Sequence, residues 1–172
     1  MINDVAAWAW ARHHNILSWY IRPLFLLPFC FFAYRRSLLG IGLTLLALAT
    51  SMAWFPAPAN PSPAVIEMIN AERDYLFGQW TFPKVVATLV IPATFTALAL
   101  AFWRRSLAWG LAVINGAVLF KIGWSYAVSG TAGANAHLVP ALAGLVLVDG
   151  LLLVAARVLA RRRSQGSPAS VE

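Results

Sequence analysis

Charge is the scarcest commodity in this sequence. Only 11% of its 172 residues are Asp, Glu, Lys or Arg, against about 25% in an ordinary soluble domain. A single cysteine excludes a disulfide scaffold. There is no Gly-X-Y repeat, so collagen is out, and 60% hydrophobic residues is too apolar for a disordered chain. The usual catalytic signatures are missing as well. No Gly-x-Ser-x-Gly, Walker, Gly-x-Gly-x-x-Gly or Cys-x-x-Cys pattern occurs. Intramembrane proteolysis needs paired aspartates or a Ser/His dyad within spans, and Asp149 stands alone there.

What is present is apolar length. Mean hydropathy is +0.71, and five segments approach the roughly 20 helical residues that a hydrocarbon core of about 30 Å requires. They run over about 15–34, 37–55, 84–103, 106–127 and 139–160. Continuous apolarity without polar alternation selects helices over a barrel. The expected fold class is therefore all-α: a polytopic membrane bundle of five transmembrane helices, forming one domain over residues 1–163. Arg22, Pro23 and Pro28 interrupt the first span and predict a kink. Residues 164–172 read as a disordered tail.

The segment from Pro56 to Pro83 is too polar to span. Ser62-Pro63 has the form of an N-cap followed by a first helical residue. Val65, Ile66, Ile69, Leu76, Phe77 and Trp80 then share one face, which predicts an amphipathic interfacial helix over about 63–80 on the outer side.

Thirteen basic and six acidic residues give a net charge of +7. In a soluble protein that excess would suggest nucleic acid; here the basic residues punctuate apolar runs, so no nucleic-acid partner is expected. Arg35-Arg36, Arg104-Arg105 and Arg157 with Arg161-Arg162-Arg163 mark one side. The positive-inside rule makes that side cytoplasmic, with the N-terminus outside and the C-terminus inside a bacterial inner membrane. The start of the chain lacks a basic region and a cleavage site, so no signal peptide is expected. Trp19, Trp54, Trp80 and Trp124 fall at the outer boundary, where an aromatic belt is expected. Tyr34-Arg35-Arg36-Ser37-Leu38 recurs as Trp103-Arg104-Arg105-Ser106-Leu107. This reads as an internal repeat of two hairpins, although any tight basic turn with a serine N-cap produces the same pattern.

Ionisable residues at membrane depth need partners, because each costs about 2.5–3.5 kcal/mol on insertion scales. At about 1.5 Å per residue, Arg22, Lys121 and Asp149 lie about 11, 9 and 15 Å below the outer boundary. Asp149 is expected to pair with Lys121 or Arg22, with Asn115 adding a hydrogen bond. Two cations to one anion leave a positive charge that suits a carboxylate or phosphate ligand, unless Glu72 neutralises it. His13, His14 and His137 fall on the outer side and form the candidate metal site, although no His-x-x-x-His or Glu-x-x-His spacing supports it. No cofactor is expected, while a bound lipid is compatible with the pattern.

The function expected from these features is non-enzymatic: an accessory subunit or small bundle binding a membrane partner or an amphipathic ligand. Its partners would be membrane lipids and either another protein or a second copy of the chain. The competing expectations are a carrier for small organic anions or lipids, built on Arg22, Lys121 and Asp149, and a membrane metalloenzyme built on the histidines.

Overall fold

A computed structural model describes the backbone of residues 2–165, and its side chains apart from 2–3, 128–130, 132–134, 136–137, 159–160 and 162–165. The described chain is helical, with no strand among the described residues. Seven α-helices follow in order: α1 (Ile2–His13), α2 (Ile16–Ile21), α3 (Leu26–Tyr34), α4 (Leu38–Thr50), α5 (Pro63–Phe77), α6 (Phe82–Trp103) and α7 (Leu107–Gln165). Among the described residues, four helical segments are long and apolar enough to cross a membrane: Ile16–Tyr34, Phe82–Trp103, Leu107–Ala127 and Leu138–Val158.

The first of these is broken where the sequence predicts it. Arg22–Phe25 forms a 3-10 turn between α2 and α3, because Pro23 removes a backbone donor and crowds the preceding turn. The second expected span is shorter than the pattern suggests. α4 has 13 residues, and Ser51–Ala53 adds one 3-10 turn, together rising about 25 Å. Pro56 disfavours helical backbone at the residue before it, so the helix stops short of Phe55.

α7 is helical along its length but cannot be straight. Asn115 and Asp149 are hydrogen bonded at 2.9 Å across 34 positions, whereas a straight helix would hold them about 51 Å apart. The chain therefore doubles back between the two spans, and the Tyr126 hydroxyl donates to Asn135 Oδ1 at 2.6 Å near the reversal. His137 lies in this stretch, with its side chain outside the described residues. α7 continues to Gln165; the remainder of the expected tail, 166–172, is also outside the described residues.

The two Arg-Arg-Ser-Leu turns close in the same way. Ser37 N–H donates to Phe32 O and Ser106 N–H to Ala101 O, both at 2.9 Å, the long bond of a Schellman closure. That closure needs one left-handed residue, and it is an arginine both times: Arg36 at φ 57° and Arg105 at φ 58°. The Arg105 guanidinium lies 5.1 Å from the centre of the Tyr34 ring, so the two turns are neighbours at one end of the bundle.

Phe29, Cys30, Ala33, Leu98, Phe102, Ile114 and Val148 form the main core, where α3, α6 and both arms of α7 meet. A smaller core of Trp19, Val65, Met68 and Ile69, flanked by Trp10, joins α1, α2 and α5. Outside these cores the surface is strongly apolar: Leu39 is 75% exposed, Val146 73% and Trp109 70%. That many exposed large apolar side chains is compatible with a chain whose helices cross a membrane.

Candidate functional site

α1 and α5 sit over the end of the bundle opposite the arginine turns, and their docking builds the polar site. α5 begins as expected, with the Ser62 hydroxyl accepting from Val65 N–H at 3.4 Å and Pro63 first in the helix. Only part of the expected apolar face is buried within the fold. Val65, Met68 and Ile69 are buried, while Ile66, Leu76, Phe77 and Trp80 are exposed. One turn on from Met68, the same helix carries Glu72 toward α1.

There Glu72 meets His13. His13 Nε2 lies 2.9 Å from Glu72 Oε2, and Arg22 Nη2 lies 3.3 Å from His13 Nδ1. A guanidinium only donates, so Nδ1 must accept and the imidazole proton sits on Nε2, donating to Glu72. A neutral histidine thus bridges a cation and a carboxylate. Trp19, expected at the outer boundary, is buried, and its indole N–H donates to His13 O at 3.2 Å.

Asp149 is placed differently from the expectation. Its Oδ2 accepts from Asn115 Nδ2 at 2.9 Å, and its Oδ1 is buried with no hydrogen-bond partner among the described residues. Neither Arg22 nor Lys121 is its partner: Arg22 turns to His13, and both cations lie within electrostatic reach of Glu72. Arg22 Nε is also buried and unpartnered among the described residues. The Lys121 side chain is exposed, and no hydrogen bond or ion pair to it occurs among the described residues.

The histidines do not converge. His13 is committed to Glu72 and Arg22, while His14 Nδ1 lies 2.8 Å from Trp10 O. Among the described residues no three His, Cys, Asp or Glu side chains come together as a metal-binding group. A shallow cavity of about 400 Å³ runs between α1 and α5, with Trp10, Phe77, Arg73 and His14 among its walls.

The sequence pattern gave no sign of Lys84. A lysine at a helix start opposes the helix dipole, and here it reaches back. Its Nζ donates to Gly78 O and Gln79 O, both at 3.3 Å, and lies 4.9 Å and 4.7 Å from the Tyr75 and Trp80 ring centres. The Tyr75 hydroxyl in turn contacts Thr88 Oγ1 at 2.8 Å. Lys84 thereby ties the α5–α6 loop to both helices. Lys84→Met is expected to lower stability by about 2 kcal/mol, from the lost cation–π and carbonyl contacts. Thermal unfolding in detergent checks this, with Lys84→Arg recovering part of the loss.

Comparison with known proteins finds no matching family model, no matching curated protein and no matching solved structure.

Proposed function

We propose that this chain is a small non-enzymatic integral membrane protein: an accessory subunit or helical bundle that binds a membrane partner or an amphipathic ligand. Lys121 carries the reading. It is an exposed cation inside a membrane-compatible helix, without a hydrogen-bond partner among the described residues. A charge so placed needs a counter-group from outside the chain or a route to the headgroups. In the α1–α5 layer, His13 and Lys84 are held by contacts within the fold. Native mass spectrometry in gentle detergent tests the proposal. The expected result is a co-purifying lipid or subunit, and a bare chain overturns it. A second reading, a carrier for small organic anions or lipids, is favoured by the same excess of cations near Glu72.

In this reading Leu38–Ala53 is a fifth, short crossing, the N-terminus is outside, and the C-terminus is in the cytosol of a bacterium. The arginines at φ 57° and 58° support that orientation. Left-handed backbone costs a residue with a side chain about 1 kcal/mol, and glycine would relieve it. A basic charge at the headgroups is a reason to keep arginine there. A reporter fused after Glu172 should be active only in its cytosolic form. Activity of the external form reverses the orientation.

A further inference from the structure

Five arginines from three parts of the chain gather at the end of the bundle opposite α1 and α5. Arg35 and Arg36 belong to the first basic turn, Arg104 and Arg105 to the second. The two turns are held together. Phe29 and Ala33 of α3 share a core with Phe102 of α6, and the Arg105 guanidinium lies 5.1 Å from the Tyr34 ring centre. The α7 hairpin adds the fifth arginine. Asn115 and Asp149 face each other at 2.9 Å, and about 12 Å further along each arm Leu107 and Arg157 reach the level of the second turn. All five arginines are exposed, and none forms an ion pair with a carboxylate among the described residues.

The acidic groups are elsewhere. Asp4 is in α1, Glu67, Glu72 and Asp74 are in α5, and Asp149 is about 12 Å from Arg157 along its helix. Glu172 lies outside the described residues. Directly beside the arginines the surface turns apolar: Phe31, Leu38 and Leu39 are exposed at the first turn, Leu100 and Trp109 at the second. A cationic rim over an apolar wall complements a phospholipid, whose phosphate adjoins its acyl chains. An acidic protein segment would match the rim and leave the wall uncovered.

We infer that the paired basic turns form a headgroup site for an anionic phospholipid with two phosphodiesters, one seated at each turn. This rests on the binding reading above and names its ligand chemistry. Guanidinium groups recognise phosphate through parallel N–H donors, and two adjacent turns offer that recognition twice. The backbone supports the assignment. Arg36 and Arg105 hold φ 57° and 58°, where glycine would sit without strain, so the side chain rather than the turn calls for arginine.

The test uses the full chain, delipidated in detergent and titrated with diphosphatidylglycerol, phosphatidylglycerol or phosphatidylcholine under native mass spectrometry. The expected result is one diphosphatidylglycerol per chain, bound more tightly than either other lipid. Arg36→Gly with Arg105→Gly should weaken that binding about thirtyfold. The lipid-free Tm should not fall, because relief of both left-handed residues offsets the lost Tyr34 contact. Arg104→Gln with Arg157→Gln, at exposed positions outside left-handed backbone, should weaken binding to a similar extent. Equal affinity for diphosphatidylglycerol and either other lipid overturns the inference, as does unchanged binding in both double variants. A lipid or subunit that co-purifies equally with wild type and variants also overturns it, yet leaves the broader binding proposal intact. A chain that carries nothing from the cell and takes up no added lipid overturns both.

Discussion

Asn115→Leu is expected to cost more stability than Asp149→Leu, although only the second removes a formal charge. The reason lies in what each deletion leaves behind. Asn115 Nδ2 has a second acceptor, Leu111 O at 2.9 Å, one helical turn earlier. Without Asp149 the amide is still satisfied, and a leucine of similar volume fills the space, so the change should fall within about 1 kcal/mol of neutral. Asp149 has no such reserve. Its Oδ1 is already unpartnered among the described residues, and the Asn115 amide is the hydrogen-bond donor to Oδ2. Asn115→Leu strands both oxygens among helices, at a cost of about 3 kcal/mol. The double variant should recover most of that loss. Thermal unfolding of the four proteins in one detergent measures the cycle. An equal loss in both single variants would mean that Asp149 draws its stability from some other group. The same geometry gives a second outcome: exchanging charges through Asp149→Lys with Lys121→Asp should rescue nothing, since the two residues are not partners.

That pairing shows where the sequence stops being informative. Depth along a span follows from counting residues, and depth alone makes Arg22 and Lys121 natural partners for Asp149. Partner choice also depends on rotation about the helix axis. A helix that is apolar on every side gives no periodic signal to set that rotation. Asn115 reaches Asp149 because α7 doubles back and turns those two faces together, which only the packing of both arms against α3 and α6 determines. The His13–Glu72 contact is hidden for a related reason: it spans 59 positions and exists only once α1 and α5 dock. Local chemistry was far easier to read. The Arg22–Pro23 break, the Ser62-Pro63 helix start and the serine caps of the basic turns all follow from interactions within a few residues. The matching Schellman closures belong to the same class. Identical local physics can generate both, so their likeness does not by itself require a duplicated ancestor.

Gly144→Ala should destabilise the protein, whereas Gly123→Ala and Gly150→Ala should stabilise it. In a helix, alanine is preferred over glycine by about 1 kcal/mol, so all three changes gain the same intrinsic term. At Gly123 and Gly150 a new Cβ meets nothing within 4 Å, and that gain stands. At Gly144 the new Cβ falls against the Cβ and Cγ of Pro23. A proline ring has no rotamer to move into, and this one is fixed in the 3-10 turn between α2 and α3. Relief requires α7 to shift away from the first span, and overpacking of that kind costs about 1–3 kcal/mol. Gly40 and Gly110 provide the intermediate case, since the groups facing them are the side chains of Phe32 and Phe102, which have rotatable bonds. The expected order of Tm in detergent is therefore Gly123→Ala and Gly150→Ala above wild type, Gly40→Ala and Gly110→Ala below those two, and Gly144→Ala lowest. Should Gly144→Ala unfold at or above the wild-type temperature, the close packing of α7 on the broken first span is not what positions Arg22 beside His13.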